Sequence, residues 1–318
     1  MIKKMLTGLA VVLASATAPA WAEGYPDHPV RIIHGFGPGG NADTVARLIA
    51  EPMSLELGQP FVVEPKPGAG GNVGSDFVAH SDPAGYTLQL MVGGHSVSGA
   101  LYRSLNFDAV EDFTFITRIS FFPFFIAARP GAYENVEALV AAAKDGRVKW
   151  GSAGVGTTQH LTGELMAKTT GGNFLHIPYK GDAGALAALL GGEVDMIVSA
   201  GTSVLSQAAS GEVDLLAVSW DRPWPTTPDV PTLGDTVAPG FNVFSWLGLG
   251  APAGLPADIT AKLHDAAVKA IESEAVSTQL TALGGVPSPQ SPEEFRDMVA
   301  GQVKTWNEVI DSVGIERK

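Results

Sequence analysis

The feature that most constrains this chain is a glycine-rich turn that stands repeatedly between a short apolar run and a helical run. One such turn, 35–40, follows the apolar run 30–34 and precedes 42–57, where apolar residues recur with a helical period. Another, 151–158, precedes the helical run 159–168. Strands and helices that alternate in this way predict a mainly parallel sheet with right-handed crossovers.

The alternation divides the chain into two units. Two long β-rich stretches, 113–128 and 242–250, lie between the units, and we interpret them as the crossing strands of a hinge. The predicted fold class is α/β with two lobes, each a mainly parallel sheet flanked by helices, and a ligand cleft between them. We expect one lobe to comprise 23–122 with 242–318, and the other 123–241. Further strands are predicted at 61–63, 86–92, 149–152, 174–177, 194–199 and 214–219. One further helix is predicted to follow the glycine-rich loop 66–74 and to end at residue 80. Other helices are predicted at 136–143, 183–190, 257–272, 277–283 and 292–313.

The N-terminus has the three parts of a secretory signal peptide. Lys3 and Lys4 precede a mainly apolar run, 6–16, and Ala20-Trp21-Ala22 supplies a cleavage site. A membrane anchor is the weaker alternative, because the run is shorter than the ~20 residues that a span needs. We therefore predict that residues 1–22 are removed and that the mature protein is soluble in the periplasm.

Charge and cysteine content exclude several classes of function. The chain carries 20 Lys and Arg against 33 Asp and Glu, a formal net charge of −13, whereas a nucleic-acid-binding protein needs a basic surface. The chain has no cysteine, which excludes disulfides, thiolate catalysis, thiolate metal sites and a lipid anchor on an N-terminal cysteine. We expect no nucleic-acid partner.

The turn 35–40 also matches the G-x-G-x-x-G fingerprint of dinucleotide-binding folds. Pro38 removes an N–H group from the loop that would hold the pyrophosphate, and Asp43 puts a negative charge in the first helical turn. An exported protein also rarely meets a nicotinamide pool. We therefore favour another use for the turn, with a nucleotide as the alternative.

Backbone N–H groups at a helix N-terminus attract carboxylates as readily as phosphates. Gly39, Gly40 and Asn41 would supply such donors, unless Asn41 merely caps the helix of an ordinary turn. The carboxyl ends of parallel strands share one edge of a sheet, so the turns should assemble there around a molecule with two polar ends. Similar turns follow other predicted strands, at 93–96, 151–158 and 177–182.

Catalytic and metal-binding motifs are missing from the sequence. The seven His show no H-x-x-x-H or similar spacing, no G-x-x-x-x-G-K-[ST] motif occurs, and 94–98 lacks the last glycine of a nucleophile elbow. Asp43 and Asp182 have the chemistry of general acids or bases, but capping and helix-dipole roles are commoner for such residues. We expect no enzymatic activity, no cofactor and no metal.

Segments along the whole predicted mature chain are similar, in sequence and in order, to one family. The opening from Val30 to Arg47 resembles the pattern I-R-x-I-V-P-F-x-x-G-G-x-x-D-x-x-A-R of the Bug-type extracytoplasmic solute receptors of tripartite tricarboxylate transporters. Further similar segments are 57–60, 67–72, 82–88, 151–156, 160–161, 178–181, 192–195, 228–232, 246–248 and 251–254.

The resemblance implies a periplasmic binding protein of the Venus-flytrap type. Members of the family bind small carboxylates, namely di- or tricarboxylates, acidic amino acids, aromatic acids or nicotinate-like compounds. They deliver these to a membrane transporter of one large and one small subunit, or serve as the ligand-binding accessory of a two-component sensor kinase. An exported carboxylate-processing enzyme is the remaining alternative. The receptor is expected to be a monomer.

The family's ligand contacts come from four turns. The first carboxylate is expected on the N–H groups of 39–41. The distal group is expected near Ser152, Thr157 and Thr158, or Tyr179. Carried over to this chain, the ligand-binding residues are Phe36, Gly39, Gly40, Asn41, Ala42, Asp43, His95, Ser152, Gly156, Thr157, Thr158, Tyr179, Gly181 and Asp182.

The chain departs from the family's pattern at three places. His34-Gly35 replace the usual Val-Pro, and Asn41-Ala42 replace the usual Ser-Thr, so that one hydroxyl donor is lost. Asp182 occupies a place that is commonly small and uncharged, and its carboxylate could pair with an amino group on the ligand.

Overall fold

A computed structural model describes residues 24–318 of the chain. The predicted signal peptide, residues 1–22, lies outside the described residues. Within residues 24–318, the longest apolar stretch of any helix is too short or too polar to cross a membrane.

The first sheet has β1 at its centre. β1 (Val30–His34) pairs in parallel with β2 (Phe61–Pro65) on one side and with β3 (Thr87–Val92) on the other. β9 (Phe244–Pro252) runs antiparallel to β3 and extends the sheet. The parallel centre explains why β1 is almost wholly buried, since helices cover both of its faces.

The second sheet repeats this arrangement. β5 (Val148–Ser152) pairs in parallel with β6 (Phe174–Pro178) and with β7 (Met196–Ala200). β8 (Asp214–Val218) completes this side. The predicted α/β fold, with a mainly parallel sheet in each of two lobes, is therefore confirmed.

The two sheets are joined through β4 (Phe113–Ala128), a single strand of 16 residues. Its first part, to Pro123, pairs with β9 in the first sheet. Its last part, Phe124 to Ala128, pairs with β7 and β8 in the second sheet. The segment just before β9 also lies near β4. There the Val243 N–H donates to the Ser219 carbonyl at 2.7 Å, and the Ser219 N–H donates to the Phe124 carbonyl of β4 at 2.9 Å. The short strand β10 (Val286–Pro287) also pairs with β4.

Helices occupy the crossovers and the C-terminal part of the chain. Most of the predicted helices are confirmed to within a few residues. The helices are α1 (Asn41–Leu57), α2 (Asn72–Ala79), α3 (Gly94–Leu101), α4 (Val136–Asp145), α5 (Thr158–Thr170), α6 (Asp182–Leu190), α7 (Gly201–Ala209), α8 (Ala257–Glu272), α9 (Glu274–Ala282) and α10 (Pro292–Val313), and a 3-10 turn covers Ala69–Gly71.

The helices α3 and α7 were not predicted. Both begin with Gly and contain two Ser, and α7 also contains a Thr; these residues have low helix propensity and are typical of loops. Ser96 and Ser98 are fully buried, and α3 packs against α10. Tertiary packing therefore stabilises α3 despite its composition.

A tight contact attaches α10 to the first sheet. Gly248 lies in β9, and a Cβ atom added there would lie 2.3 Å from Phe295 of α10 and 2.9 Å from the Thr117 carbonyl. The Phe295 ring is fully buried and stacks edge-on against Trp246. The C-terminal helix therefore depends on a glycine at this position.

We expect Gly248→Ala to lower the free energy of unfolding by about 1–3 kcal/mol, because it overpacks the buried Phe295 site. Chemical denaturation measures this change. Gly301→Ala is the matched control, since Gly301 lies in α10 with open space around the new methyl group, and it should be neutral or slightly stabilising. Equal stability of the two variants would contradict the proposed contact.

Candidate functional site

The Asp43 carboxylate stabilises the first glycine turn, 35–40, from the side away from the pocket. This carboxylate accepts the Gly39 N–H at 3.0 Å and the Arg47 guanidinium at 2.9–3.1 Å. His34 Nε2 lies 3.2 Å away on the buried side. Burial alone would raise the pKa of Asp43, but the hydrogen bonds from Arg47 and Gly39 reverse this and lower the pKa. Asp43 is therefore an ionised structural group that holds the turn in shape.

The turn after β5 is fixed by its own hydroxyl groups. Thr157 caps α5 by accepting the His160 N–H at 3.2 Å, and its hydroxyl donates to the Gly154 carbonyl at 2.7 Å. Ser152 Oγ forms a 2.7 Å hydrogen bond with His176 Nε2. These two hydroxyls are engaged within the turn, whereas the Thr158 hydroxyl lies 3.5 Å from that of Ser245.

The turns of the two sheets touch each other. The Gly37 N–H donates to the Lys180 carbonyl at 3.1 Å. A Cβ atom on Gly70 would lie 2.3 Å from the Val155 carbonyl, so the backbones approach too closely there for any other residue. The structure is therefore closed across the cleft.

Behind this contact lies a small pocket that opens to solvent. Among the described residues that line it, none is Lys, Arg or His. The lining consists of Phe36, Gly40, Asn41, Ala42, Val92, Gly94, Phe122, Phe124, Ala153, Thr157, Thr158, Gln159, Asp182 and Ser245.

Four helices begin at this pocket. Asn41, Gly94, Thr158 and Asp182 are the first residues of α1, α3, α5 and α6, and each of them lines it. Helix N-termini carry N–H groups that have no partner within the helix and a partial positive charge. These N–H groups can bind an anionic group of a ligand without help from a cationic side chain.

Seven of the predicted site residues line the pocket, and seven do not. The first set is Phe36, Gly40, Asn41, Ala42, Thr157, Thr158 and Asp182, and the second is Gly39, Asp43, His95, Ser152, Gly156, Tyr179 and Gly181. Most of the second set belong to the same turns and shape the backbone behind the lining. Direct ligand contact stays a prediction for all fourteen.

His95 and Tyr179 lie apart from the pocket for different reasons. His95 is buried, stacks with Phe107, and forms a 2.8 Å hydrogen bond through Nε2 with the Ala109 carbonyl. Burial lowers its pKa to about 4, so the ring is neutral at pH 7. Tyr179 lines an adjacent hollow at the outer edge of the cleft and is half-buried.

Sequence reasoning missed the other half of the lining. Phe122 and Phe124 alternate along β4, a period that places both side chains on one face of the strand. Ser245 stands next to β4 on β9. Gln159 directly follows the predicted site residue Thr158, so its position in the sequence could have identified it as a lining residue. Nothing in the sequence showed that β4 lies beside the four turns and lines the same pocket.

Asp182 is the one ionisable residue in the described lining. Its side chain accepts hydrogen bonds from Gln159, Ser199 and the Ala200 N–H, all of them neutral donors. The residue is 6% exposed. Burial raises the pKa of Asp182, and the three donors oppose that shift without cancelling it.

A group of potential metal ligands, His160, Glu164 and His176, lies behind the turn that follows β5. Their ligand atoms lie within 4.8 Å of one another. The two imidazole rings lie 4.5 Å apart between centroids and are tilted by 31°, and Trp150 stacks on His176 at 4.2 Å. Burial lowers the pKa of His160 to about 4 and that of His176 to about 3. Stacked neutral rings of this kind support the turn through Ser152.

Two α/β lobes that share a crossing strand, with a polar pocket between facing turns, define a two-lobed solute-binding protein. The chain belongs to the tripartite tricarboxylate transporter family receptors, whose family model matches residues 45–315. The resemblance to this family, inferred from the sequence, is confirmed. It is a family of receptors that serve transporters, and its members are not enzymes.

Solved structures similar to this chain over nearly its whole length include the periplasmic binding protein BugD. The binding protein BugD is 34% identical, with a TM-score of 0.89 over 92% of this chain and 100% of its own. An R. palustris protein with adipate is 29% identical, with a TM-score of 0.88 over 92% and 99%. MatC from Rhodopseudomonas palustris with bound malate is 30% identical, with a TM-score of 0.85 over 90% and 100%.

The contact between Gly70 and Val155 predicts how closure can be blocked. A methyl group on Gly70 would meet the Val155 carbonyl, so Gly70→Ala should hold the lobes apart and give a larger radius of gyration than wild type. Small-angle X-ray scattering measures this. Gly171→Ala is the matched control, because Gly171 has φ +69° against +68° for Gly70, and its new methyl group meets open space. Equal radii for Gly70→Ala and wild type would show that the contact is not made in solution.

Proposed function

We propose that this receptor captures a small carboxylate in the pocket between its lobes. The observation that carries the proposal is the convergence of four helix N-termini on a pocket whose described lining has no cationic side chain. Such N–H groups bind carboxylates without a counter-ion on a side chain. The structures of similar proteins with malate and adipate support the same class of ligand.

One carboxylate would bind at the start of α1. Asn41 is 8% exposed, lines the pocket, and its side chain has no hydrogen-bond partner within residues 24–318. The N–H groups of Gly40 and Ala42 flank it. The second polar end of the ligand would meet the hydroxyls of Thr158 and Ser245 on the opposite side, directly or through water.

We further propose the cellular context. Residues 1–22 would direct export and be cleaved, so that the mature protein acts in the periplasm. It would work as a monomer, with 23–122 and 242–318 in one lobe and 123–241 in the other. It would deliver its ligand to membrane components of a tripartite transporter, one large subunit and one small.

A thermal-shift screen of residues 23–318 tests the carboxylate class. The protein is unfolded and refolded first to remove any captured ligand. A ligand at 100 times its Kd stabilises by about 2.7 kcal/mol, which raises the Tm by several degrees. We expect such a shift with mono-, di- or tricarboxylates and none with neutral sugars. A screen in which sugars shift the Tm and acids do not would overturn the proposal.

Asn41→Ala tests the position of the first carboxylate. Loss of one hydrogen bond to a charged group costs about 1.5–3 kcal/mol, so the affinity should fall about tenfold to a hundredfold. Titration calorimetry with the acid found in the screen measures this. Asn135→Ala is the control, because Asn135 caps α4 away from the pocket and its loss should affect stability alone. Unchanged affinity in Asn41→Ala would place the carboxylate elsewhere.

A further inference from the structure

Asp182 conflicts with a pocket that binds only anions. Its carboxylate lines the pocket at the first residue of α6, and the described lining offers no Lys, Arg or His to neutralise it. The Arg47 guanidinium that neutralises Asp43 is half-exposed on α1 and bonds that carboxylate instead. A buried charge of this kind is costly unless a partner of opposite sign reaches it.

The two oxygens of Asp182 are used unequally. Oδ1 accepts hydrogen bonds from Ser199 at 3.0 Å, from Gln159 at 3.1 Å and from the Ala200 N–H at 3.4 Å. Oδ2 lies 3.3 Å from the Gln159 amide nitrogen, its one partner from another residue among those described. Oδ2 has two lone pairs and this single long contact, so it retains capacity for a further donor from the pocket.

We propose that Asp182 binds a positively charged nitrogen of the ligand, and that the ligand is therefore a small amino acid in its zwitterionic form. This inference rests on the proposed function, which supplies the carboxylate site at the start of α1. Asp182 adds a cation-binding site to the same pocket. Its three neutral donors hold the side chain in place and leave its charge to be neutralised by the ligand.

The two ends of the ligand would be close together. A Cβ atom on Gly40 would lie 3.8 Å from the Asp182 backbone nitrogen, so α1 and α6 begin opposite each other across a short gap. A carboxylate at Asn41 and an ammonium at Asp182 can then belong to one short molecule. Phe122 and Phe124 supply the apolar wall along its carbon chain.

Matched pairs of acids test the proposal on the refolded, ligand-free protein. Each pair has the same carbon and carboxylate skeleton, with and without the amino group: aspartate and succinate, glutamate and glutarate, 4-aminobutyrate and butyrate. A hydrogen bond to a charged group predicts that the amino member of at least one pair binds about ten to a hundred times more tightly. Titration calorimetry measures both members.

Asp182→Asn assigns the preference to this side chain. The change keeps the shape and removes the charge, so the amino member should lose its advantage while its partner without nitrogen binds as well as before or better. Glu164→Gln is the matched control, because Glu164 is a carboxylate on α5 outside the pocket lining, and it should keep the full preference. Circular dichroism confirms folding of both variants.

The outcomes separate this inference from the proposed function. If the acids without nitrogen bind wild type at least as tightly as their amino partners, the inference is overturned and the carboxylate receptor stands. A preference that persists in Asp182→Asn overturns the role of Asp182. If no member of any pair binds and the carboxylate screen also fails, the proposed function is overturned together with the inference. The wild-type comparison decides the matter even if Asp182→Asn does not fold.

Discussion

The pairing of β4 with strands of both sheets is the constraint on which the rest of the structure depends. Because one uninterrupted strand passes from β9 to β7 and β8, the carboxyl edges of the two parallel sheets face each other across it. The turns that follow β1, β3, β5 and β6 then converge on one place. Phe122 and Phe124 on β4 line the pocket that results. The element that joins the two sheets therefore also lines the pocket.

The electrostatics of the site are compatible with the proposed capture of an acid by a chain with a net charge of −13. Most of its charges are on the surface and are screened beyond a Debye length of about 8–10 Å. Inside the pocket the nearest charges are the partial charges of four helix N-termini. Arg47 neutralises Asp43 behind the first turn, which leaves the N–H groups at the pocket free to act. Asp182 is the exception, and it gives the site a negative pole.

The order of strands and helices could be predicted from the sequence because each depends on local patterns. Apolar runs, helical periods and glycine turns identified β1 to β9 and most helices to within a few residues. The prediction failed for α3 and α7, whose Gly, Ser and Thr favour loops when judged locally. Burial against neighbouring elements decides their conformation, and burial is not a property of a short window of sequence.

The sequence by itself determined the two α/β units, the four turns and the family, since each of these depends on patterns among residues that are close together in the sequence. It also pointed to Asn41, Thr158 and Asp182, because each stands where a strand gives way to a helix. Only the tertiary structure decided which side chains share the pocket. It placed Ser245 opposite Thr158, engaged Thr157 and Ser152 within their own turn, and buried His95 in the core. Ser245 and Thr158 are 87 positions apart in the sequence, and only the packing of the two sheets through β4 brings them together.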